Sequence, residues 1–168
     1  VLVGAGFSMN AERIDGSNKR MPGWEDLADT FCDKLGLDKT KVRYTNPLSL
    51  AQQVEELYGK PYLNNLLKDL MEDDSYRPGY AHDLLMNLPW TDVFTTNYDT
   101  LLERAYQSGM GYQRYKTVYN QSDLLYSAGT PRIIKLHGSF PSFEPFVISE
   151  EDYRRYPIDN APFVNTVQ

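Results

Sequence analysis

The chain has 168 residues, a formal net charge of −6, and 41% hydrophobic and 24% charged residues, which predicts one soluble globular domain with a sizeable core. The acidic balance and the lack of a Lys/Arg run argue against a free-standing nucleic-acid binder, because phosphate neutralisation needs clustered cations, although a basic partner or another domain could supply that surface. Cys32 is the only cysteine, which excludes an intrachain disulfide and a cysteine-rich zinc site and fits a reducing cytosol. No apolar run is long enough for a membrane span.

The first predicted element is a short apolar strand that runs into a glycine turn. Val1–Val3 is followed by Gly4-Ala5-Gly6-Phe7-Ser8. Glycines at this place let the backbone approach a diphosphate, and a helix start behind them offers N–H groups. Met9 stands where the common dinucleotide-binding pattern has its third glycine, so an ordinary tight strand-to-helix turn is an equal alternative.

A block of about four amphipathic helices separates this strand from the next one. Residues 24–90 are predicted to be mainly helical, because apolar side chains recur there at helical spacing and Asn46 with Pro47 is typical of a helix start. The block is too long for a single crossover helix and is therefore an insertion beside the sheet. His82, on its last helix, is predicted to be structural or exposed. The polar residues 9–23 form either a loop that folds over a ligand or a solvated connection.

The second strand lies in the stretch TDVFTTNYDTLLE, residues 91–103. Thr100 and Glu103 have the spacing of a capping box, so a helix is predicted to begin near Thr100. Asn97 and Asp99 then lie at the carboxyl end of the strand, where ligands bind in open α/β sheets. The alternative interpretation is that both are turn and cap residues.

The last part of the chain continues the alternation of strands and helices, which predicts an α/β sheet. Strands are predicted at 115–119, 132–136 and 146–148, with a short helix around 123–126 and another after a second capping box, Ser149 and Asp152. The strand at 132–136 ends in His137-Gly138-Ser139. One strand precedes the glycine turn, another precedes Asn97, and a third precedes His137. If these three strands are parallel, the turns that follow them meet over one crevice.

The motifs GAGFS, FTTNYD and KLHGS, in this order, resemble the sirtuin-type NAD-binding domain of prokaryotic NAD-consuming defence proteins. The stretches MPGW and FVISEEDY support the resemblance, which covers nearly the whole chain. It implies a Rossmann-like, mostly parallel sheet with a helical insertion between the first and second strands. It also implies that residues 1–168 are one sirtuin-like domain from a larger chain, without the C-terminal part of that domain and incomplete at the adenine side.

The resemblance also implies roles for individual residues. Gly4, Ala5, Gly6 and Ser8 would cradle the NAD diphosphate, and Asn97 would contact the nicotinamide ribose and position the attacking water. Asp99 would hold the nicotinamide carboxamide, and His137 would act as general base, which suits an imidazole. Further residues expected to bind NAD are Thr96, Gly138 and Ser139.

Departures from the deacylase pattern favour plain NAD hydrolysis. One cysteine cannot build a four-cysteine zinc ribbon, Thr96 stands where deacylases have Gln, and no Pro-Asp-Phe-Arg run follows the glycine turn. We therefore expect a cytoplasmic NAD glycohydrolase that uses NAD as substrate without a metal. It would release nicotinamide and ADP-ribose and deplete NAD in bacterial anti-phage defence by abortive infection.

The expected partners are NAD and a sensor, which is either another domain or a separate protein such as an argonaute-like protein or a helicase-type ATPase. We also expect an oligomer, with no contact to membranes and no direct contact to nucleic acid by this domain. Two alternatives stay open: a catalytically silent module that senses NAD or ADP-ribose, and a zinc-less protein deacylase or ADP-ribosyltransferase.

Overall fold

The computed structural model describes residues 1–42, 46–108, 115–141 and 146–167. The strands formed by these residues are β1 (Leu2–Val3), β2 (Glu12–Arg13), β3 (Tyr76–Arg77), β4 (Asp92–Thr95), β5 (Lys116–Val118) and β6 (Arg132–Lys135). The helices are α1 (Ala5–Ser8), α2 (Trp24–Leu35), α3 (Lys39–Val42), α4 (Pro47–Tyr58), α5 (Lys60–Met71), α6 (Tyr80–Met86), α7 (Leu101–Ser108), α8 (Gln121–Tyr126), α9 (Glu150–Asp159) and α10 (Ala161–Val167). A 3₁₀ turn covers Asp73–Ser75.

The main sheet has four strands in the order β1-β4-β6-β5, and its pairs are all parallel. In the two central strands, Val93, Ile133 and Ile134 are fully buried, as is typical of parallel strands that are covered on both faces. Because β1, β4 and β6 are parallel neighbours, their carboxyl ends lie side by side. The predicted Rossmann-like, mostly parallel sheet is confirmed.

The helical insertion between the first two strands of this sheet is also confirmed. Its helices α2, α4 and α5 share one core, which contains Phe31, Val54 and Leu67. Asn46 caps α4 by accepting a hydrogen bond from the Leu48 N–H, as its position before Pro47 predicts. The segment between β1 and β4 also holds a small antiparallel sheet of β2 and β3, which sequence periodicity did not reveal because each strand has two residues.

The strand predicted at 146–148 is wrong, because this segment belongs to no strand of the structure. Phe146 and Ile148 are buried in the core of the insertion, which explains the apolar run. Individual hydrogen bonds fix the segment. The Val147 N–H donates to the His137 carbonyl (3.1 Å), and the Tyr98 hydroxyl donates to the Val147 carbonyl (2.7 Å).

The capping box predicted at Thr100 and Glu103 does not form, although α7 begins where it was expected. Both the N–H and the hydroxyl of Thr100 donate to the Asp73 carboxylate instead. The second capping box is confirmed, with Ser149 and Asp152 at the start of α9. His82 is buried and structural: its Nδ1 accepts from the Gly79 N–H, and its ring packs edge-on against Phe7.

Within the described ranges, no helix combines the length and the apolar character that crossing a membrane requires.

Candidate active site

A pocket of about 460 Å³, counting the space open to solvent, lies at the carboxyl edge of the main sheet. Three strand ends contribute to its lining: Ala5 and Ser8 after β1, the turn from Thr96 to Asp99 after β4, and His137 after β6. The expected meeting of three turns over one crevice is therefore observed. The insertion and α9 complete the lining with Pro22, Gly23, Trp24, Leu27, Met71 and Tyr153.

A chain of short hydrogen bonds joins the turn after β1 to the turn after β4. The Ser8 hydroxyl donates to Asp99 Oδ2 (2.6 Å) and accepts from Asn97 Nδ2 (2.8 Å). The same Asn97 nitrogen donates to the Gly4 carbonyl (3.0 Å), while Asp99 Oδ1 accepts from the Leu101 N–H (3.2 Å). Ser8 thus binds two other predicted site residues, a role that its place in the glycine motif did not predict.

The side-chain oxygen of Asn97 is a buried acceptor without a hydrogen-bond partner among the described residues. Since Asn97 Nδ2 is fixed by the Gly4 carbonyl and Ser8, the amide cannot turn its oxygen towards those acceptors without losing both bonds. An unpaired buried acceptor typically costs about 1–3 kcal/mol. A ligand hydroxyl or a water in the pocket would satisfy it.

His137 is partly buried at the pocket wall, among aromatic rings. Its Nδ1 lies 3.4 Å from the Tyr153 hydroxyl oxygen, and its ring meets those of Tyr153 and Tyr156 edge-on, with centroids 5.0 and 5.7 Å away. Burial lowers the pKa of His137 from 6.5 to about 4. The imidazole is therefore neutral near pH 7 and able to accept a proton.

A buried ion pair contacts the backbone of Asp99. Lys135 is 1% exposed, its ammonium donates to the Asp99 carbonyl, and it lies 3.2 Å from Glu103 Oε1. Desolvation raises the pKa of Glu103, and Lys135 opposes that effect. Sequence analysis missed this pair. The signal for it in the sequence was a lysine inside the apolar run RIIKL. A lysine in a buried strand predicts an acidic partner, because a lysine is almost never fully buried unless it is paired.

The glycines of the first turn lie beside the pocket, along a groove formed by residues 1–7 and Leu85. Gly4 and Gly6 are exposed, and a Cβ built on either would have no atom within 4 Å. Gly4 has φ −117° and ψ −179°, an extended conformation that any residue adopts. Neither packing nor backbone conformation therefore requires glycine at position 4, and the open space suits close approach by a ligand such as a diphosphate.

Gly138 and Ser139 are not part of the pocket lining. Ser139 is fully buried, and its hydroxyl donates to the carbonyls of Tyr98 (3.4 Å) and Phe140 (3.3 Å). Gly138 has φ +95°, a conformation that favours glycine. Both residues shape the turn after His137 in this structure, and their contact with NAD stays a prediction.

Within residues 1–42, 46–108, 115–141 and 146–167, no group of three or more His, Cys, Asp or Glu side chains is placed to hold a metal ion.

A family model for the SIR2-like domain matches residues 91–168, which include both the Asn97/Asp99 turn and His137. The predicted likeness to sirtuin-like domains is confirmed. The match does not include the glycine turn, which the structure places beside the other two motifs.

Curated relatives align with nearly the whole chain. NAD(+) hydrolase ThsA of Acinetobacter baumannii (strain 532279) is 28% identical over 170 residues, which covers 99% of this chain and 33% of the relative. NAD(+) hydrolase ThsA of Enterococcus faecium is 27% identical, with 100% and 34% covered. Defense-associated sirtuin 2 of Bacillus subtilis is 25% identical, with 99% and 16% covered. The sirtuin-like chain thus spans about a third of the length of the two hydrolases.

Proposed function

We propose that this domain is an NAD glycohydrolase that cleaves NAD to nicotinamide and ADP-ribose. The observation that carries the proposal is the placement of two groups in one pocket: the unpaired Asn97 oxygen and the neutral His137 ring. The names of the relatives, NAD(+) hydrolase, support the choice of substrate and reaction.

In the proposed reaction, the bond between the nicotinamide nitrogen and ribose C1′ breaks, and its electron pair leaves with neutral nicotinamide. Water adds its oxygen to C1′, and His137 takes one water proton as general base, a contribution typically worth about 10²–10⁴-fold in rate. The Asn97 oxygen accepts a hydrogen bond from that water or from a ribose hydroxyl. The protein's contribution is mainly to orient the ribose and to place the base.

Asp99 is proposed to accept a hydrogen bond from the nicotinamide carboxamide. Both of its oxygens already accept one bond, from Ser8 and from the Leu101 N–H, yet each carboxylate oxygen has a further lone pair. The diphosphate is proposed to lie over the open backbone at Gly4, Ala5 and Gly6. The other predicted NAD-binding residues would support the NAD site from the turns to which they belong. They are Ser8, Thr96, Gly138 and Ser139.

The proposal extends to the biological setting, a cytoplasmic effector that depletes NAD in anti-phage defence and works as an oligomer. The name of one relative, defense-associated sirtuin 2, supports this setting. A sensor would release the activity upon infection. It would be another part of the same protein, an argonaute-like protein or a helicase-type ATPase.

The test is nicotinamide release from NAD by the full-length protein, with and without candidate activators, beside its His137→Ala and Asn97→Ala variants. We expect activator-dependent release by the wild type and loss of at least about 100-fold in each variant, the lower end of a general-base contribution. His137→Ala is the cleaner variant, because Asn97→Ala also removes the bonds to Gly4 and Ser8 and should lower stability.

Equal release by wild type and His137→Ala would refute the catalytic assignment. NAD binding without release under every condition would identify a silent nucleotide-sensing module. Loss of the acetyl group from a peptide, or ADP-ribose transferred to a protein in place of free ADP-ribose, would identify the deacylase or the transferase.

A further inference from the structure

The ring of His137 makes one hydrogen-bond contact within the described structure, to the Tyr153 hydroxyl, with 3.4 Å between Nδ1 and the oxygen. This distance is long, but catalytic hydrogen bonds are often long without substrate and tighten when it binds. No carboxylate orients the ring in the described structure, although a histidine that acts as a base commonly has such a partner. The polar environment of Nδ1 is therefore set by a phenol.

The position of Tyr153 is fixed by the start of α9. Ser149 caps this helix, and Asp152 Oδ2 accepts from the N–H groups of Ile148 and Ser149, each at 2.9 Å. The ammonium of Lys60 binds the same Asp152 oxygen, and the Glu151 N–H donates to Gln52 on α4 at 3.1 Å. The helix that carries Tyr153 is thus anchored to α4 and α5 within its first turn.

The position of His137 is tied to the same segment. Its carbonyl accepts from the Val147 N–H, and the Val147 carbonyl accepts from the Tyr98 hydroxyl, which lies between Asn97 and Asp99 in the chain. The contact between His137 and Tyr153 therefore joins two elements that are each fixed by their own bonds. Both residues also line the pocket.

We propose that Tyr153 is a positioning residue whose hydroxyl oxygen accepts the Nδ1–H of His137, which leaves Nε2 as the nitrogen that takes a proton. This inference rests on the proposed function, because it assigns the tautomer that a general base requires.

The direction of this bond follows from the role proposed for His137 as a base. A neutral imidazole has one N–H donor and one bare acceptor nitrogen, and the partner of one nitrogen decides the state of the other. If Tyr153 donated to Nδ1, the proton would be on Nε2, and neither nitrogen could accept a proton without first breaking a bond. With Tyr153 as acceptor, Nε2 is bare. Burial raises the pKa of Tyr153, so its hydroxyl stays neutral, and the oxygen of a neutral hydroxyl has lone pairs that can accept the Nδ1–H.

Tyr156 provides a matched control for this proposal. It lies on the same helix and also packs edge-on against the His137 ring, but its hydroxyl makes no hydrogen bond to that ring. Tyr153→Phe and Tyr156→Phe therefore both keep an aromatic ring beside His137, and the first alone removes the contact to Nδ1.

The experiment compares the full-length wild type, Tyr153→Phe and Tyr156→Phe in two measurements. The first is steady-state NAD cleavage. We expect Tyr153→Phe to lower kcat about 3- to 10-fold, which is the rate factor that corresponds to the net free energy of one hydrogen bond. KM should stay within about twofold of the wild-type value. Tyr156→Phe should stay within about twofold in both. Thermal unfolding of the three proteins serves as the check on folding.

The second measurement is the nitrogen-15 NMR spectrum of His137 near pH 7.5, where the ring is neutral. Its signals are assigned by their loss in His137→Gln. We expect a protonated Nδ1 in the wild type and in Tyr156→Phe, and a shift towards protonated Nε2 in Tyr153→Phe.

The two measurements separate this inference from the proposed function. A protonated Nε2 in the wild type, an unchanged tautomer in Tyr153→Phe, or equal loss of kcat in both variants would overturn the inference. If no protein releases nicotinamide with any candidate activator, the proposed function fails, while the spectra still show whether Tyr153 sets the tautomer.

Discussion

At the scale of single residues, one serine hydroxyl joins two strand ends. Ser8 bonds to Asp99 and Asn97 at the same time, and all three side chains are buried. A buried network of this kind specifies one arrangement when its members are satisfied, and it loses stability when one of them is removed. The geometry of the pocket therefore depends on the Ser8 hydroxyl as well as on Asn97 and Asp99.

We predict that Ser8→Ala lowers the free energy of unfolding by about 1–3 kcal/mol, because it leaves Asp99 Oδ2 without its donor in a buried position. Urea unfolding measures this change. Ser122→Ala is the matched control, since Ser122 is exposed at the start of α8, and it should change stability by less than about 0.5 kcal/mol. Equal effects of the two substitutions would show that the Ser8 network does not stabilise the fold.

The sequence predicted which site residues meet, but not how they bind one another. The meeting of Asn97, Asp99 and His137 followed from one rule, that parallel strands bring their carboxyl ends to the same edge. The bond from Ser8 to Asp99 joins residues 91 positions apart and depends on the exact register of β1 against β4. Periodicity carries no information on such distant contacts.

At the scale of elements, helix starts were predicted better than strands. Cap residues act within three positions of the helix start, so Asn46 and Ser149 could be read directly from the chain. The segment 146–148 has the apolar character of a strand, but its burial comes from packing against Tyr98 and Phe140. Burial alone does not show whether a segment pairs with a sheet.

Two glycines at helix starts are predicted to respond in opposite ways to substitution. A Cβ at Gly79 would lie 2.0 Å from the Asn10 carbonyl oxygen, whereas a Cβ at Gly4 would meet nothing within 4 Å. We expect Gly79→Ala to cost about 1–3 kcal/mol of stability through overpacking, and Gly4→Ala to cost less than about 0.5 kcal/mol. Thermal or urea unfolding of both variants distinguishes these outcomes.

Gly4→Val tests whether the open space serves a ligand. It should keep the fold and weaken NAD binding, as calorimetry would measure, because the larger side chain fills the space above the backbone. Unchanged affinity would show that this turn does not contact NAD.

At the scale of the whole molecule, desolvated histidines couple stability to pH. Burial lowers the pKa of His137 to about 4, and desolvation also lowers that of His82. The ordinary pKa of both histidines is 6.5. As the pH falls below this value, the unfolded chain takes up protons that the folded protein does not, so these residues make the free energy of unfolding decrease. Glu103 acts in the opposite direction, because its pKa is raised.

A comparison of variants isolates the effect of one histidine. Between pH 6.5 and 4.5, we predict that the free energy of unfolding falls more steeply for the wild type than for His137→Gln, which retains His82 and Glu103. Urea unfolding at several pH values measures both slopes. Parallel curves for the two proteins would mean that His137 has the same pKa when folded and unfolded.

The buried ammonium of Lys135 makes this side chain a reporter of local opening. An amine-reactive label modifies exposed lysines of the native protein, but it reaches Lys135 only when Glu103 and the Asp99 carbonyl release the ammonium. The labelling rate at this lysine, read by mass spectrometry, therefore reports how often these contacts at the Asp99 carbonyl open. A molecule that binds Asp99 and stabilises the closed state would slow this rate, so Lys135 can detect occupancy of the pocket even in a variant that performs no chemistry.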